Sequence, residues 1–362
     1  MKVKLPTENE QFYINVGVFC GIDSYLITPK ISAEWNSNNL FYRSLIVGIE
    51  TQQVLSCGWP KFFNLGEASS LYPNPEEFKD WSIQEKLDGS LLIMDHVNGQ
   101  FSMRTRGCFN YLQQDNSQDF TLLCTKYPKV VEFLKNNSHL TLLFEIVTPN
   151  NVIVIRPKEV EFYFLGAINK SCMQIVCQQN VLDIWRQIGC MPTPKTFQIE
   201  ELKTTTDLAN VIKHWKGQEG VVVCYNNNQN RIKLKSDWYL FCHRVKSQLN
   251  SEDNLIDYYI ESELPDFEEF FEKIKTNFDF EIAVQLTDQI HKIVDAGILA
   301  KEYISKVMSV VHDIRNVKTR KEQAEMIKRN FPSNSSYAFT LLDNKPLTSL
   351  QWVKLIKEQI AK

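Results

Sequence analysis

The hydrophobic period of this chain changes once, near residue 250, and that change limits the folds open to it. Before it, short apolar runs at Leu45–Val47, Leu91–Met94, Leu142–Val147, Val152–Ile155, Phe162–Leu165 and Val221–Tyr225 are rich in β-branched, aromatic and aliphatic residues. Clusters of Asn, Gly, Pro and Asp separate the runs, so each predicts a strand bounded by turns. Two helical patterns intervene, over Pro128–Asn136 and Val181–Ile188. In the second, Val181, Ile184, Trp185 and Ile188 share one face. From Asp266 onward the spacing becomes three or four residues. Ile282, Leu286, Ile290, Ile293, Val294 and Ile298 set this pattern, and Ile304, Val307, Met308 and Val311 continue it. The tail from Pro346 also reads as helix. The pattern predicts an α+β chain in two domains: a mixed, strand-rich domain over 1–249 and an all-helical one over 250–362.

Composition supports a sizeable core, with 43% hydrophobic and 23% charged residues. The net charge is −3, so any nucleic-acid surface must be a local basic groove. The first part carries a net +1 and residues 251–362 a net −4, with an acidic stretch from Glu252 to Glu272. Nine cysteines lie at irregular spacing with no C-x-x-C pair, which excludes zinc ribbons and thioredoxin-like motifs. Scattered thiols suit a reducing compartment. The start of the chain has no apolar run of a signal peptide, and no stretch has the length of a membrane span. A soluble, intracellular protein with no membrane partner is the expectation. No G-x-x-x-x-G-K-[ST] occurs, which excludes a P-loop ATPase.

The chemistry centres on Lys86-Leu-Asp88-Gly89, followed at once by an apolar run. This places Lys86 in a loop that feeds a buried strand. An amine is a nucleophile only when deprotonated, a state that burial or neighbouring cations favour. Gly89 permits close approach of backbone to a ligand. Glu145 lies inside an apolar run, where a carboxylate needs a cation or donor. Glu219-Gly220 leads into another such run. Arg231, Lys233 and Lys235 alternate with apolar residues, so a strand there puts all three on one face. Such a stripe either meets an anion or marks a half-exposed edge strand.

Lys86-Leu-Asp-Gly, Phe144-Glu145, Glu219-Gly220 and Lys233-Leu-Lys235, in this order, resemble the motifs of covalent nucleotidyltransferases: ligases and RNA-capping enzymes. Four further stretches resemble the bacteriophage tRNA-repair RNA ligases in particular. They are Lys61-Phe-Phe-Asn-Leu-Gly-Glu67, Arg104-Thr-Arg106-Gly107, the run Glu145–Val154, and Lys233-Leu-Lys-Ser-Asp-Trp-Tyr239. The resemblance covers most of residues 40–250. It implies a nucleotidyltransferase domain of antiparallel sheets with helices, followed by a helical domain with a role in choosing RNA. It also implies ATP as substrate, Mg²⁺ (or Mn²⁺) as metal, and RNA with 5′-phosphate and 3′-hydroxyl ends as partner, cleaved tRNA among the candidates.

By the same resemblance Lys86 is the nucleophile that takes AMP. Lys233 and Lys235 hold the α-phosphate, and Arg43, Lys61 and Arg106 take the β- and γ-phosphates. Glu145 and Glu219 orient the metal, joined by Asp88, while Gly89 lies against the nucleotide. Phe62 or Phe63 flanks the nucleotide, with Phe63 preferred. Tyr239 either reaches the triphosphate or is an ordinary core tyrosine. The chain departs from the family at Ser44, where glycine is usual, and at Arg104 and Arg106, where lysines are common.

DNA ligases and capping enzymes share the lysine chemistry but usually append a β-barrel, often with an R-x-D-K segment that is absent here. A non-catalytic RNA-binding protein on a ligase scaffold is the other alternative, and decay of that kind should first remove the nucleophile or the metal carboxylates. In the helical part, Arg315, Lys318, Arg320, Lys321, Lys328 and Arg329 form either a backbone-binding face or a solvated one.

Overall fold

The computed structural model describes residues 11–67, 71–78, 80–110, 117–198, 204–249, 251–277 and 280–361. The chain divides into two compact units, Met1–Leu240 and Phe241–Lys362. The division falls inside a helix, ahead of the boundary read from composition.

The first unit contains three sheets. Strands β1 (Phe12–Phe19), β2 (Ile22–Pro29), β3 (Leu45–Gly48) and β4 (Val54–Cys57) form an antiparallel meander. Strands β5 (Phe63–Asn64) and β6 (Ser82–Lys86) belong to a second sheet, and β7 (Ser90–Val97) and β8 (Gln100–Arg104) to a third. The third is completed by β9 (Leu140–Val147), β10 (Glu161–Asn169) and β11 (Gln174–Ile175), in the order β11-β10-β9-β7-β8. The second is completed by β12 (Thr196–Phe197), β13 (Gly220–Tyr225) and β14 (Asn230–Lys235), in the order β12-β6-β13-β14-β5. Every pairing is antiparallel except that of β5 with β14.

Side-chain alternation assigns the faces of these sheets. On β9, Leu140, Leu142, Phe144 and Ile146 point into a core closed by helices α1 (Ser117–Lys126), α2 (Pro128–Asn136) and α3 (Gln178–Gln187). Leu143, on the other face, packs with Leu45, Val47, Cys57 and Trp59 of the meander region. Glu145 shares that face of β9 and so emerges where the meander core ends. The second sheet buries Ile83, Val221, Val223, Ile232 and Leu234 against Leu208 and Ile212 of α4 (Thr205–Ile212). A buried polar knot ties the third sheet together. Lys170 Nζ donates to Asp95 Oδ1 at 2.9 Å, and Thr141 Oγ1 donates to the same oxygen at 2.5 Å.

Helix α5 (Asp237–Leu249) holds the division point. Seven further helices make up the second unit among the described residues. They are α6 (Glu252–Glu261), α7 (Phe267–Asn277), α8 (Phe280–Gln285), α9 (Thr287–Arg315), α10 (Arg320–Asn330), α11 (Ser335–Leu342) and α12 (Ser349–Ile360). The long α9 is the spine. Its Val307, Val311 and Ile314 pack with Ile327, Ala338 and Leu342. No helix among the described residues is long and apolar enough to cross a membrane.

Four expectations are corrected. Val152–Ile155 forms no strand, because the amides of Val154 and Ile155 donate to Asp88 Oδ2 at 2.8 and 2.6 Å instead of to a neighbouring strand. Lys86 lies not in a loop but at the last position of β6. The helical period after 280 is interrupted at Leu286, so it builds two helices, α8 and α9. Ile298 and Met308, in phase with that period, face solvent at 45% and 55% exposure.

Gly220 sits where β13 is pinched between its neighbours, opposite Lys86 on one side and Lys235 on the other. Its φ is +147°, and a Cβ there would overlap the Leu234 carbonyl. Gly220→Ala is therefore expected to cost about 1–3 kcal/mol of stability. Thermal unfolding checks this, and an unchanged midpoint would show that the pinch is not tight.

Candidate active site

The end of β6 delivers Lys86 to the floor of a cleft of about 270 Å³. Glu219, the residue before β13, lies beneath it with 3% exposure. The antiparallel register explains the meeting. Gly220 is the partner of both Lys86 on β6 and Lys235 on β14, so Glu219 arrives level with both lysines. One oxygen, Glu219 Oε1, contacts Lys86 Nζ at 2.8 Å and Lys235 Nζ at 2.9 Å. The nucleophile candidate is thus held by a carboxylate shared with a second cation.

Arg43, Lys233 and Lys235 line the same cleft, as do Gly89 and Glu145. Gly89 is required there for lack of room, since a Cβ would overlap the Ile146 carbonyl. Lys233 is pushed down to about 8, first by burial and then by Lys61, Arg43, Lys235 and Lys86. Arg43 falls to about 10 through burial and the charge of Arg106. Lys61 is lowered by burial and by Arg43. This crowding of like charge, with Glu219 engaged only by Lys86 and Lys235, prepares the cleft for a polyanion. Lys61 and Arg106 do not line the cleft but act on it electrostatically. Arg106 is exposed, and its carbonyl accepts from Ser44 Oγ at 2.9 Å, beside Arg43.

The stripe on β14 resolves in favour of the cleft, although its members differ. Lys233 and Lys235 present ammonium groups. Arg231 is buried, with its guanidinium 3.8 Å from the Trp59 ring centroid and bonded to Asn228 Oδ1 at 2.7 Å. An edge-strand role is ruled out, because β14 lies between β13 and β5.

Besides Lys61 and Arg106, three expected residues fall outside the cleft. Phe63 is buried at 5% exposure and packs edge-on against Tyr72. Its neighbour Phe62, just before β5, is the one in the cleft, with Arg43 5.3 Å and Lys233 5.8 Å from its ring. Asp88 is 7% exposed and has both oxygens engaged, Oδ2 by two backbone amides and Oδ1 by Tyr239 Oη at 2.7 Å. It anchors the Lys86 turn to the segment after β9. Tyr239 is a buried tyrosine serving Asp88, its ring 4.8 Å from Lys235 Nζ. Burial and the nearby carboxylates push its phenol far up, so it remains a donor.

Residues missed in the sequence are Trp59, Leu165, Pro194 and Val222, which make the apolar side of the cleft. They come from four separated segments, and no local pattern marks them. Arg104, which the sequence marked only as an arginine where the family commonly has lysine, does not line the cleft. It is fully buried, and donates through Nε to Ser56 Oγ at 2.8 Å and through Nη1 to Ser44 Oγ at 2.7 Å.

Glu145 and Glu219 are the carboxylates able to take a metal. Burial and the charge of Glu219 raise Glu145 to about 7, against the pull of Lys86. A carboxyl whose ionisation is opposed by burial and by a second carboxylate is favoured in its charged form by a divalent cation. No cluster of three or more ligating side chains exists among the described residues. Two carboxylates without further side-chain ligands suit a divalent cation that completes its shell with other oxygens.

A family model described as RNA ligase matches residues 42–248, more than half of the chain. The chain belongs to the RNA ligase family. A protein of Autographa californica nuclear polyhedrosis virus, provisionally named a bifunctional polynucleotide kinase/RNA ligase, is 24% identical over 263 residues, 65% of this chain and 35% of the relative. A provisionally named RNA ligase of Thermovibrio ammonificans is 25% identical over 235 residues, 61% of this chain and 60% of the relative. The chain thus spans about a third of the first relative and three-fifths of the second. Among solved structures, a Naegleria gruberi RNA ligase with PPi aligns over 46% of this chain and 52% of its own at 16% identity and TM-score 0.37. An archaeal ATP-dependent RNA ligase aligns over 90% of this chain and 91% of its own at 13% identity and TM-score 0.41. At these scores the spatial likeness is loose.

The raised Glu145 has a consequence for stability. Between the ordinary 4.5 and about 7 the folded protein holds a proton that the unfolded chain releases. Stability from this group is therefore full at low pH and declines as pH rises through 7, by on the order of 3 kcal/mol. Urea unfolding in EDTA from pH 5 to 8 should show this decline in the wild type and a flatter profile in Glu145→Gln. Parallel profiles would remove Glu145 as its source.

Proposed function

We propose that this chain is an ATP-dependent RNA ligase that joins 5′-phosphate and 3′-hydroxyl ends through a lysyl–AMP on Lys86. The observation that carries the reading is the Lys86–Glu219–Lys235 ion pair at the floor of a cleft edged by Arg43, Phe62 and Lys233. Transfers at phosphorus ask a protein chiefly for positioning and for neutralisation of charge.

In this reading the Glu219 pair opens first, and Lys86 Nζ passes its proton to solvent water. The amine attacks the α-phosphorus of ATP, an N–P bond forms, and the bond to pyrophosphate breaks. Lys233 and Lys235 hold the α-phosphate oxygens, while Arg43, Lys61 and Arg106 orient the leaving group. Arginine's planar fork suits those oxygens. An RNA 5′-phosphate oxygen then attacks the same phosphorus, breaking the N–P bond and restoring the Lys86 amine. Finally an RNA 3′-hydroxyl oxygen attacks the 5′-phosphorus and gives its proton to solvent, a phosphodiester P–O bond forms, and the anhydride P–O bond to AMP breaks. Glu145 and Glu219 would hold Mg²⁺, with Mn²⁺ as a substitute, and the ion would neutralise charge on the phosphates. Trp59, Leu165, Pro194 and Val222 provide an apolar surface for the adenine.

The helical unit is assigned to the choice of RNA, with cleaved tRNA the first candidate. The viral relative's name joins a kinase to a ligase, which fits a reaction that consumes 5′-phosphate ends made elsewhere. The presence of Lys86, Glu145, Glu219, Lys233 and Lys235 argues against a decayed, non-catalytic scaffold.

Incubation with α-labelled ATP and a divalent metal, followed by a denaturing gel, tests the reading. Lys86→Ala should lose the label by more than about 10³-fold, yet still join RNA that is already adenylylated. Retained labelling in that variant, or labelling by GTP in preference to ATP, refutes it. Glu219→Gln should leave the thermal midpoint close to wild type and slow labelling at every magnesium concentration.

A further inference from the structure

We infer that the helical unit carries a nucleotide-sized groove for single-stranded RNA, built on the last turns of α9 and the segment after α11. The inference rests on the ligase reading for its choice of ligand. The groove encloses about 570 Å³, within the roughly 300–1,000 Å³ of small-ligand pockets.

Ser305, Ser309, His312 and Arg315 recur at intervals of four and three, so they line one face of α9. Val307 and Ile314 turn into the core, and Val311, also part of that core, forms the apolar edge of the groove. Asn344 and Lys345 line the groove from the segment after α11. Each of these six groove residues carries a donor, and no carboxylate lines the groove among the described residues. Arg315 donates through Nη2 to the Leu341 carbonyl at 2.5 Å, which fixes its plane and leaves its other N–H groups available. Neither Arg315 nor Lys345 has an ion pair among the described residues, whereas the nearby Asp343 is taken by Arg320. Met308, 55% exposed, lies beside Leu341 and Pro346 in the same groove.

These features suit the two halves of a nucleotide. Hydroxyls, amide and cations fit a phosphodiester and a 2′-hydroxyl. The His312 ring, the Arg315 plane and the apolar side chains fit the face of an unpaired base. Lys318 and Lys321, exposed and without ion pairs among the described residues, follow Arg315 in the chain. A fully acidic peptide would leave the flat and apolar surfaces without a role. The basic segment 315–329 is accordingly not one face, since it runs from the end of α9 into α10 and spends Arg320 internally.

Fluorescence anisotropy with a labelled single-stranded 12-nucleotide RNA tests the groove, with covalent AMP labelling measured in parallel. The double variant Arg315→Gln/Lys345→Gln should bind about tenfold more weakly, with its salt slope smaller by about 1.4. Ser309→Trp, an exposed position whose replacement fills the groove, should weaken binding similarly. Both should label with ATP as the wild type does and raise KM for RNA with kcat unchanged. Unaltered binding by Ser309→Trp, an unaltered salt slope in the double variant, or equal competition by polyglutamate would overturn the groove. Absent labelling in the wild type, with RNA binding still groove-dependent, would count against the ligase reading and leave the groove supported.

Discussion

One carboxylate oxygen, Oε1 of Glu219, holds two ammonium groups, and the arrangement of the cleft follows from it. A carboxylate with 3% exposure is costly to bury unless it is paired, and here both partners come from the adjacent strands of one sheet. The pairing is helped because Gly220 lets β13 approach β14 more closely than any side chain would allow. The register of three strands thereby becomes a chemical arrangement. The same pairing keeps Lys86 in place and occupied until something else neutralises Lys235 and Glu219. A metal on the carboxylate and a phosphate on Lys235 would do so together, which links opening of the pair to arrival of the proposed substrate.

Around that centre the balance of charge is unequal by design of the fold. Lys233 is lowered by burial and by four neighbouring cations, while Glu145 is raised by burial and by Glu219. Each group is held away from its comfortable ionisation state, and each is relieved by a ligand of opposite sign. The cost is borne by the packed sheets beneath, where β9 is buried on both faces along most of its length.

The two family departures at Ser44 and Arg104 have a common explanation. Arg104 Nη1 donates to Ser44 Oγ, and Ser44 Oγ donates to the Arg106 carbonyl. A glycine at 44 would offer no hydroxyl to the buried guanidinium. The serine and the arginine therefore act as a pair that fixes the backbone next to Arg43 and Arg106. Neither residue looks unusual alone, and their connection spans 60 residues of sequence.

The sequence determined the outline. Short apolar runs marked strands at Leu142–Val147 and Val221–Tyr225, α2 fell where the pattern put it, and Arg43, Lys86, Gly89, Glu145, Lys233 and Lys235 line one cleft. Patterns of this kind are local, because the period of a strand or helix is set within a few residues. Only the tertiary structure decided that Phe62 and not Phe63 enters the cleft, that Asp88 and Tyr239 support each other, and that Arg104 is buried. It also decided that Val152–Ile155 gives its amides to a carboxylate. These outcomes depend on which distant atom meets each donor and face, and that is fixed by strand order and register rather than by neighbours in the chain.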